Sequence, residues 1–198
     1  MANENTIIVI GASAGGVLAL RRMLAKFETG WPVSVFITLH TGKHRSYMPD
    51  ILNRDCPLPV RFAGHGETFG NGIYVAPPDR HLIIGDTTTS LSVGPTENHA
   101  RPSIDPMFRS AARHHGRRVI GVLLTGRLSD GMNGLYEIQR RGGATIVQDP
   151  SDAEVPEIPM NALKRLNPDH VLPLTEIPKT IAHELDAQQR SKATRSPR

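Results

Sequence analysis

Three polar residues of the kinds used in nucleophilic catalysis each follow an apolar segment of this sequence. Ser13 follows the first apolar run, His40 follows the second, and Asp130 stands in the loop after a later one. A serine hydroxyl needs a base to become a nucleophile at neutral pH, and imidazole suits that task. A carboxylate fixes the tautomer of the imidazole and stabilises its charged form. The three residue types together favour catalysis by an activated serine.

The segment around Ser13 has the order strand, tight turn, helix. Thr6–Ile10 is rich in β-branched residues, and Val17–Phe27 has apolar residues at helical spacing. A serine on the bend between them presents its hydroxyl above the carboxyl end of the strand. The backbone N–H groups that follow point the same way and can form part of an oxyanion hole. The turn alone does not distinguish a nucleophile from a turn that binds phosphate or merely packs.

His40 and Asp130 each follow a predicted strand, and these strands indicate where the two residues lie. Val33–Leu39 and Val119–Leu124 are apolar runs typical of parallel strands buried on both faces. Taken singly, His40 is equally well a histidine that ends a strand, and Asp130 before Gly131 is an ordinary turn residue. The carboxyl ends of parallel strands lie at one edge of a sheet, where α/β proteins place their functional loops. The conjunction of Ser13, His40 and Asp130 at that edge predicts a catalytic triad.

The rest of the chain predicts an α/β fold with one departure in the middle. Strands alternate with helices at both ends, which favours a largely parallel sheet covered on both faces. Between them, residues 73–76, 81–84 and 90–93 are short, turn-bounded strands that predict an antiparallel ribbon. Asp105 and Pro106 are expected to begin a helix as its N-cap and first residue. The later helices are predicted at 133–141, 160–166 and 178–186.

Composition excludes several classes of protein. The 198 residues suit one domain, and no apolar stretch approaches the eighteen or so residues of a membrane span. A single cysteine, Cys56, and an N-terminus without a signal sequence predict a cytoplasmic protein. Four basic residues in 188–198 account for the whole net charge of +4, so we expect a disordered basic tail there and no nucleic-acid partner. No spacing of Cys and His indicates a metal site.

Two enzyme-like alternatives fit the motifs poorly. A dinucleotide fold has glycine where Ser13 stands, and an acid for the ribose at the end of the second strand, where this chain has His40. An α/β-hydrolase has its serine elbow after several strands, with the acid before the histidine. Here the elbow follows the first strand, and the order is serine, histidine, aspartate. A nucleotide-binding domain stays an alternative interpretation, supported by the glycine turn alone.

Five motifs, in order along the chain, resemble the catalytic domain of CheB, the chemotaxis protein-glutamate methylesterase. They are Gly11-Ala-Ser-Ala-Gly-Gly16, Leu39-His40, Tyr74-Val-Ala-Pro-Pro-Asp79, Arg101-Pro-Ser-Ile-Asp105 and Leu123-Leu-Thr-Gly-Arg-Leu-Ser-Asp-Gly131. The similarity runs from about residue 6 to 185. It implies a three-layer α/β/α domain, here expected over residues 1–187, without the receiver domain that usually precedes it. The family's catalytic serine, histidine and aspartate correspond to Ser13, His40 and Asp130.

The resemblance also implies a function. It predicts hydrolysis of glutamate γ-methyl esters in the methylated cytoplasmic region of a chemoreceptor or related signalling protein, glutamine deamidation as a second activity, and no metal or organic cofactor. Backbone N–H groups of Ala14 and Arg127 would stabilise the oxyanion.

The chain departs from the family pattern at several places near the predicted site, the first of them Ala14, where the family usually has threonine. Arg127 replaces a methionine, Leu128 replaces a glycine, and Glu157-Ile-Pro replaces Gly-Met-Pro. These changes leave an alternative open: a catalytically altered or inactive CheB-like signalling or binding module.

Overall fold

The computed structural model describes residues 5–193 as six α-helices and ten strands. In chain order these are β1 (Thr6–Ala12), α1 (Gly16–Leu24), β2 (Val33–Leu39), α2 (Met48–Asn53), β3 (Val60–Phe62), β4 (Glu67–Thr68), β5 (Gly72–Val75), β6 (His81–Ile84), β7 (Thr88–Ser92), α3 (Ile104–His115), β8 (Val119–Leu123), α4 (Met132–Arg140), β9 (Ala144–Gln148), α5 (Glu157–Leu163), β10 (His170–Leu172) and α6 (Ile177–Ala193).

Seven of these strands form a parallel sheet in the order β10-β9-β8-β1-β2-β5-β3. The two central strands, β1 and β2, are buried along their whole length, which explains their unbroken apolar sequences. One face of the sheet packs against α1, α2 and α6 through residues such as Leu20, Leu52 and Ile181. The other face packs against α3, α4 and α5 through residues such as Phe108 and Leu135. The predicted three-layer α/β/α fold is confirmed.

The middle section differs in part from its prediction. β4, β7 and β6 form the expected antiparallel ribbon. The strand expected at 73–76, however, is β5, which pairs in parallel with β2 and β3 and belongs to the main sheet. Parallel neighbours need a crossover of about a dozen residues, usually a helix. Here β4 and irregular turns make the crossover between β3 and β5. The sequence therefore shows no helical pattern that would predict a parallel pair.

The boundaries of α3, α5 and α6 also differ from those predicted. α3 begins at Ile104, and Asp105 is not its N-cap; the cap position belongs to Ser103. α5 begins at Glu157 rather than at residue 160, because Pro159 is accommodated in the first helical turn. α6 runs on to Ala193, so residues 188–193 of the predicted tail are helical. Residues 194–198 lie outside the described part of the chain, and the domain boundary at 187 stays a prediction.

Across residues 5–193, every helix is too short or too polar to span a lipid bilayer.

Candidate active site

The sheet brings the three predicted residues together at the carboxyl ends of its central strands. Ala12 of β1 pairs with Leu39 of β2, so Ser13 and His40, the next residues of each strand, emerge side by side. The backbone N–H of His40 donates to the Ala12 carbonyl at 3.4 Å. Asp130 arrives from the loop after β8, the other neighbour of β1. Main-chain pairing thus places the serine and the histidine before any side-chain contact is considered.

The side chains form a continuous hydrogen-bonded line. His40 Nδ1 lies 3.1 Å from Ser13 Oγ, and His40 Nε2 lies 2.7 Å from Asp130 Oδ2. A carboxylate only accepts, so Asp130 requires the proton of a neutral imidazole to be on Nε2. That tautomer leaves Nδ1 with a lone pair directed at the Ser13 hydroxyl. The line is competent to take a proton from the serine, with the two ring nitrogens in the opposite roles from those in serine proteases.

The turn that carries Ser13 is held by its own backbone. The Ser13 N–H donates to the Thr125 carbonyl at 3.0 Å, and the Gly16 N–H donates to the Ser13 carbonyl at 2.9 Å. Gly15 has φ +77°, a left-handed conformation that disfavours any Cβ. Gly126 approaches so closely that a Cβ there would lie 2.6 Å from Ser13 Cβ. Strand, turn and the loop after β8 therefore fix Ser13 from two sides.

The two predicted oxyanion residues lie on these two segments. Within residues 5–193, neither the Ala14 N–H nor the Arg127 N–H has a hydrogen-bond acceptor, whereas the neighbouring N–H groups of Ser13, Gly126 and Leu128 all do. The Thr125 hydroxyl joins the segments by donating to the Ala14 carbonyl at 3.0 Å. Two unused donors beside a nucleophile are what a tetrahedral intermediate requires.

Asp130 is almost fully buried, with 1% of its side chain exposed, and every contact of its carboxylate is a donor. Oδ1 accepts from Asn98 Nδ2 at 2.7 Å, from the Ser103 hydroxyl at 2.8 Å and from the Asp105 N–H at 3.1 Å. Oδ2 accepts from the Ile104 N–H at 2.7 Å as well as from His40. Burial alone would raise the pKa of Asp130, but the bonds from His40, Ile104 and Ser103 outweigh it and hold the pKa below its usual value. The carboxylate stays charged, as its role toward His40 needs.

Sequence reasoning missed the residues that hold Asp130. Asn98 bridges two buried carboxylates, since its amide also donates to Asp105 Oδ2 at 2.9 Å. Asp105, whose Oδ1 accepts from the Gly134 N–H at 2.7 Å, ties α3 to α4. Burial, supported by the nearby charge of Asp130, raises the pKa of Asp105 above its usual value. The motif Arg101-Pro-Ser-Ile-Asp105 was the one sequence feature that could have revealed these contacts, but its spacing did not indicate that it reaches Asp130.

The loop that carries Asn98 is itself anchored. Arg101 pairs with Asp79 at 2.8 Å, and its Nη1 donates to the carbonyls of Val93 and Gly94 at 2.9 and 2.7 Å. Buried His81 lies 2.9 Å from the Pro95 carbonyl through Nε2 and accepts the Ser103 N–H through Nδ1 at 3.2 Å. These contacts hold both ends of the loop, so Asn98 and Ser103 are presented to Asp130 in fixed positions.

A cleft of about 290 Å³ opens over Ser13 and His40. Its lining includes Lys43, His99 and Arg127, and its one acidic residue is the buried Asp130. Lys43 and Arg127 are exposed, and neither forms an ion pair with any residue in the described range. A basic rim above a serine nucleophile suits a carbonyl group carried on an acidic chain.

The glycine turn is poorly suited to a phosphate. The side chain of Glu154 packs against Gly15, where a Cβ would lie 3.0 Å from Glu154 Oε2. A carboxylate at this place repels an anion, and the Ser13 and Gly16 N–H groups are already used. The described residues also contain no cluster of His, Cys, Asp and Glu able to hold a metal ion.

Comparisons with known proteins point to one family. The family model described as CheB methylesterase matches residues 8–181. A relative from Leptospira interrogans, provisionally named protein-glutamate methylesterase/protein-glutamine glutaminase, is 39% identical over 173 residues, which are 86% of this chain and 90% of the relative. A protein-glutamate methylesterase/protein-glutamine glutaminase from Geobacter metallireducens is 37% identical over 92% of this chain, but the match spans only 52% of that longer protein.

Among solved structures, the Thermotoga maritima CheB methylesterase catalytic domain superposes with a TM-score of 0.87. It is 26% identical, and the match covers 93% of this chain and 99% of that domain. The fold comparison, which covers nearly the full described length, therefore agrees with the sequence comparison. The chain belongs to the CheB methylesterase family.

Proposed function

We propose that this protein is a protein-glutamate methylesterase that removes methyl groups from glutamate γ-methyl esters and also deamidates glutamine. The hydrogen-bonded line from Ser13 through His40 to Asp130, at the base of an open cleft, is the observation that carries the proposal. The names of the relatives support the substrate, since they pair these same two activities.

In the proposed reaction, Ser13 Oγ attacks the ester carbonyl while His40 Nδ1 takes its proton. The Ala14 and Arg127 N–H groups stabilise the negative charge that develops on the carbonyl oxygen. His40 then gives its proton to the leaving methoxide, and methanol departs. Water, activated by His40, hydrolyses the acyl-enzyme and leaves a glutamate carboxylate. With glutamine, the leaving group is ammonia and the other steps are unchanged.

The proposed substrate is the methylated cytoplasmic region of a chemoreceptor or a related signalling protein. A segment rich in glutamate carries carboxylates around the modified residue, and the exposed Lys43 and Arg127 at the cleft complement that charge. The proposal accordingly places the reaction in the cytoplasm.

A second candidate, an altered CheB-like binding module, is favoured by one observation. Leu128 has φ +68°, a conformation that costs an ordinary residue free energy, in the loop that carries the Arg127 N–H. A loop displaced in solution would lack this donor.

The test is methanol release from methylated chemoreceptor membranes, with labelling of Ser13 by a fluorophosphonate as a second readout. We expect Ser13→Ala to lower the rate by about 10⁶-fold without loss of the fold, because removing an activated nucleophile has effects of that order. Ser151→Ala, at an exposed turn serine, is the control and should match the wild type. A Ser13→Ala variant that retains about a tenth of the rate would exclude Ser13 as nucleophile; a wild type without either reaction would support the binding module.

A further inference from the structure

The 126–129 loop keeps a conformation that its sequence does not favour. Leu128 has φ +68°, in the left-handed region that glycine enters freely and leucine does not. Burial does not explain the conformation, because Leu128 is 57% exposed. Something else must hold the loop in this position.

Four residues in and just before α5 supply four hydrogen bonds to this loop. Glu157 Oε2 accepts the Leu128 N–H at 3.0 Å, and Asn161 Nδ2 donates to the Leu128 carbonyl at 2.7 Å. One residue before Arg127, the Gly126 N–H donates to the Val155 carbonyl at 2.9 Å, and the Gly126 carbonyl accepts the Ile158 N–H at 3.0 Å. The peptides on both sides of Arg127 are therefore fixed, while the Arg127 N–H has no acceptor among residues 5–193.

These contacts divide into two kinds. The Gly126 bonds are main-chain bonds that any sequence can make, whereas the Leu128 bonds depend on the side chains of Glu157 and Asn161. Glu157 is exposed, and its carboxylate has no other hydrogen bond or ion pair with a described residue. The one hydrogen bond of this carboxylate is with Leu128, the strained residue next to the unused Arg127 N–H.

We infer that Glu157 is a positioning residue, which holds Leu128 in its left-handed conformation and so keeps the Arg127 N–H directed at the oxyanion. The inference rests on the proposed function, because it assigns the Arg127 N–H to the transition state. An oxyanion donor is effective when it is already oriented as charge develops. Without the Glu157 carboxylate, the Arg127–Leu128 peptide loses its hydrogen bond and Leu128 relaxes toward negative φ. The Arg127 N–H then shifts with its own residue, although the Gly126 carbonyl keeps its bond to the Ile158 N–H.

The test combines substitutions at residue 157 with one substitution at residue 128. Glu157→Ala should slow fluorophosphonate labelling of Ser13 and lower kcat for ester hydrolysis, each about tenfold, with KM unchanged, because the donor acts on the transition state. Glu157→Gln, which keeps an acceptor oxygen, should retain most of the rate. Adding Leu128→Gly to Glu157→Ala should restore labelling to within about threefold of the wild type, because glycine needs no clamp at positive φ. Glu176→Ala, at an exposed glutamate just before α6, is the matched control.

Hydrogen exchange at the Leu128 amide gives a readout that needs no activity. We expect Glu157→Ala to speed this exchange at least tenfold, because the amide loses its acceptor. Labelling by Glu157→Ala at the wild-type rate would overturn the inference, as would a double variant no faster than Glu157→Ala alone. Methyl ester hydrolysis that survives in Ser13→Ala would instead overturn the proposed function, and the exchange result would still decide whether Glu157 holds the loop.

Discussion

The two sides of the proposed catalytic cleft are built by different means. Ser13 and His40 follow neighbouring central strands whose register, Ala12 opposite Leu39, is set by main-chain hydrogen bonds within a buried sheet. Asp130 lies in a loop and is held by side chains and amides from the segment that begins α3. The first arrangement tolerates many side chains so long as the strands pair. The second depends on particular residues, so the proposed active site should be more sensitive to substitution on the Asp130 side.

The largest expected effect on that side is from Asp130→Asn. We expect a loss of kcat of about 10⁴-fold, because an amide does not enforce the Nε2–H tautomer of His40. The amide N–H of the variant would also face the donors Asn98 and Ser103, so the melting temperature should fall. Methanol release and thermal unfolding measure the two effects.

Asp86→Asn is the matched control for this variant, because Asp86 is an exposed carboxylate that also pairs with a histidine, His114. It should change neither the rate nor the melting temperature by much. Equal effects of the two substitutions would mean that the Asp130 contacts are not specific to catalysis.

Gly126→Ala probes the place where the two sides touch. A Cβ at residue 126 would lie 2.6 Å from Ser13 Cβ and 2.5 Å from Ile158 Cδ1, so the serine or the loop must move. A displacement of this kind near reacting atoms costs about 100-fold in kcat. The measurement is the rate of ester hydrolysis, with Gly30→Ala as control because nothing lies within 4 Å of a Cβ at that position. A Gly126→Ala enzyme with the wild-type rate would show that the Ser13 side does not depend on this loop.

A smaller effect is expected from Arg127→Met, which leaves the backbone donor in place and removes the side-chain charge. If the guanidinium attracts an acidic protein substrate, kcat/KM on that substrate should fall several-fold and become less dependent on salt. Hydrolysis of a small neutral ester should be unchanged. Arg22→Met, at an exposed arginine of α1, is the control; equal losses on both substrates would assign the effect to loop shape instead of charge.

The smallest effect concerns stability against pH. Because the pKa of Asp130 is lowered in the folded protein, its stabilising contribution is complete above the unfolded value of about 3.9 and is lost as the pH falls through the folded value. The pKa of Asp105 is raised, so its contribution has the opposite sign and stabilises the fold as the pH falls. The melting temperature of the wild type should therefore exceed that of Asp130→Asn at neutral pH, and the gap should narrow on acidification. A gap that stays constant would contradict the lowered pKa.

The contrast between strand pairing and specific side-chain contacts also explains which features the sequence predicts. The strands, the elbow and the meeting of Ser13, His40 and Asp130 follow from apolar runs and from the rule that parallel strands end at one edge. The parallel pairing of β5 did not follow, because its crossover lacks a helical pattern. Asn98 and Ser103 were missed as contacts of Asp130 because they lie in an irregular loop. In such a loop, the spacing of residues along the sequence does not indicate where their side chains point. The Glu157 contact was missed for the same reason, since it joins residues 29 positions apart.

The attachment of Asp130 to the start of α3 has an evolutionary consequence. The cap residue Ser103 makes no side-chain bond to its own helix, and the carboxylate of Asp130 receives the Ile104 and Asp105 N–H groups instead. We therefore expect an acid at position 130 to serve folding as well as the proposed chemistry. The Ser13 hydroxyl has a single described hydrogen-bond partner, His40. A descendant that abandoned hydrolysis would keep the aspartate and lose the serine first, so position 13 is the more informative residue for separating active members of the family from inactive ones.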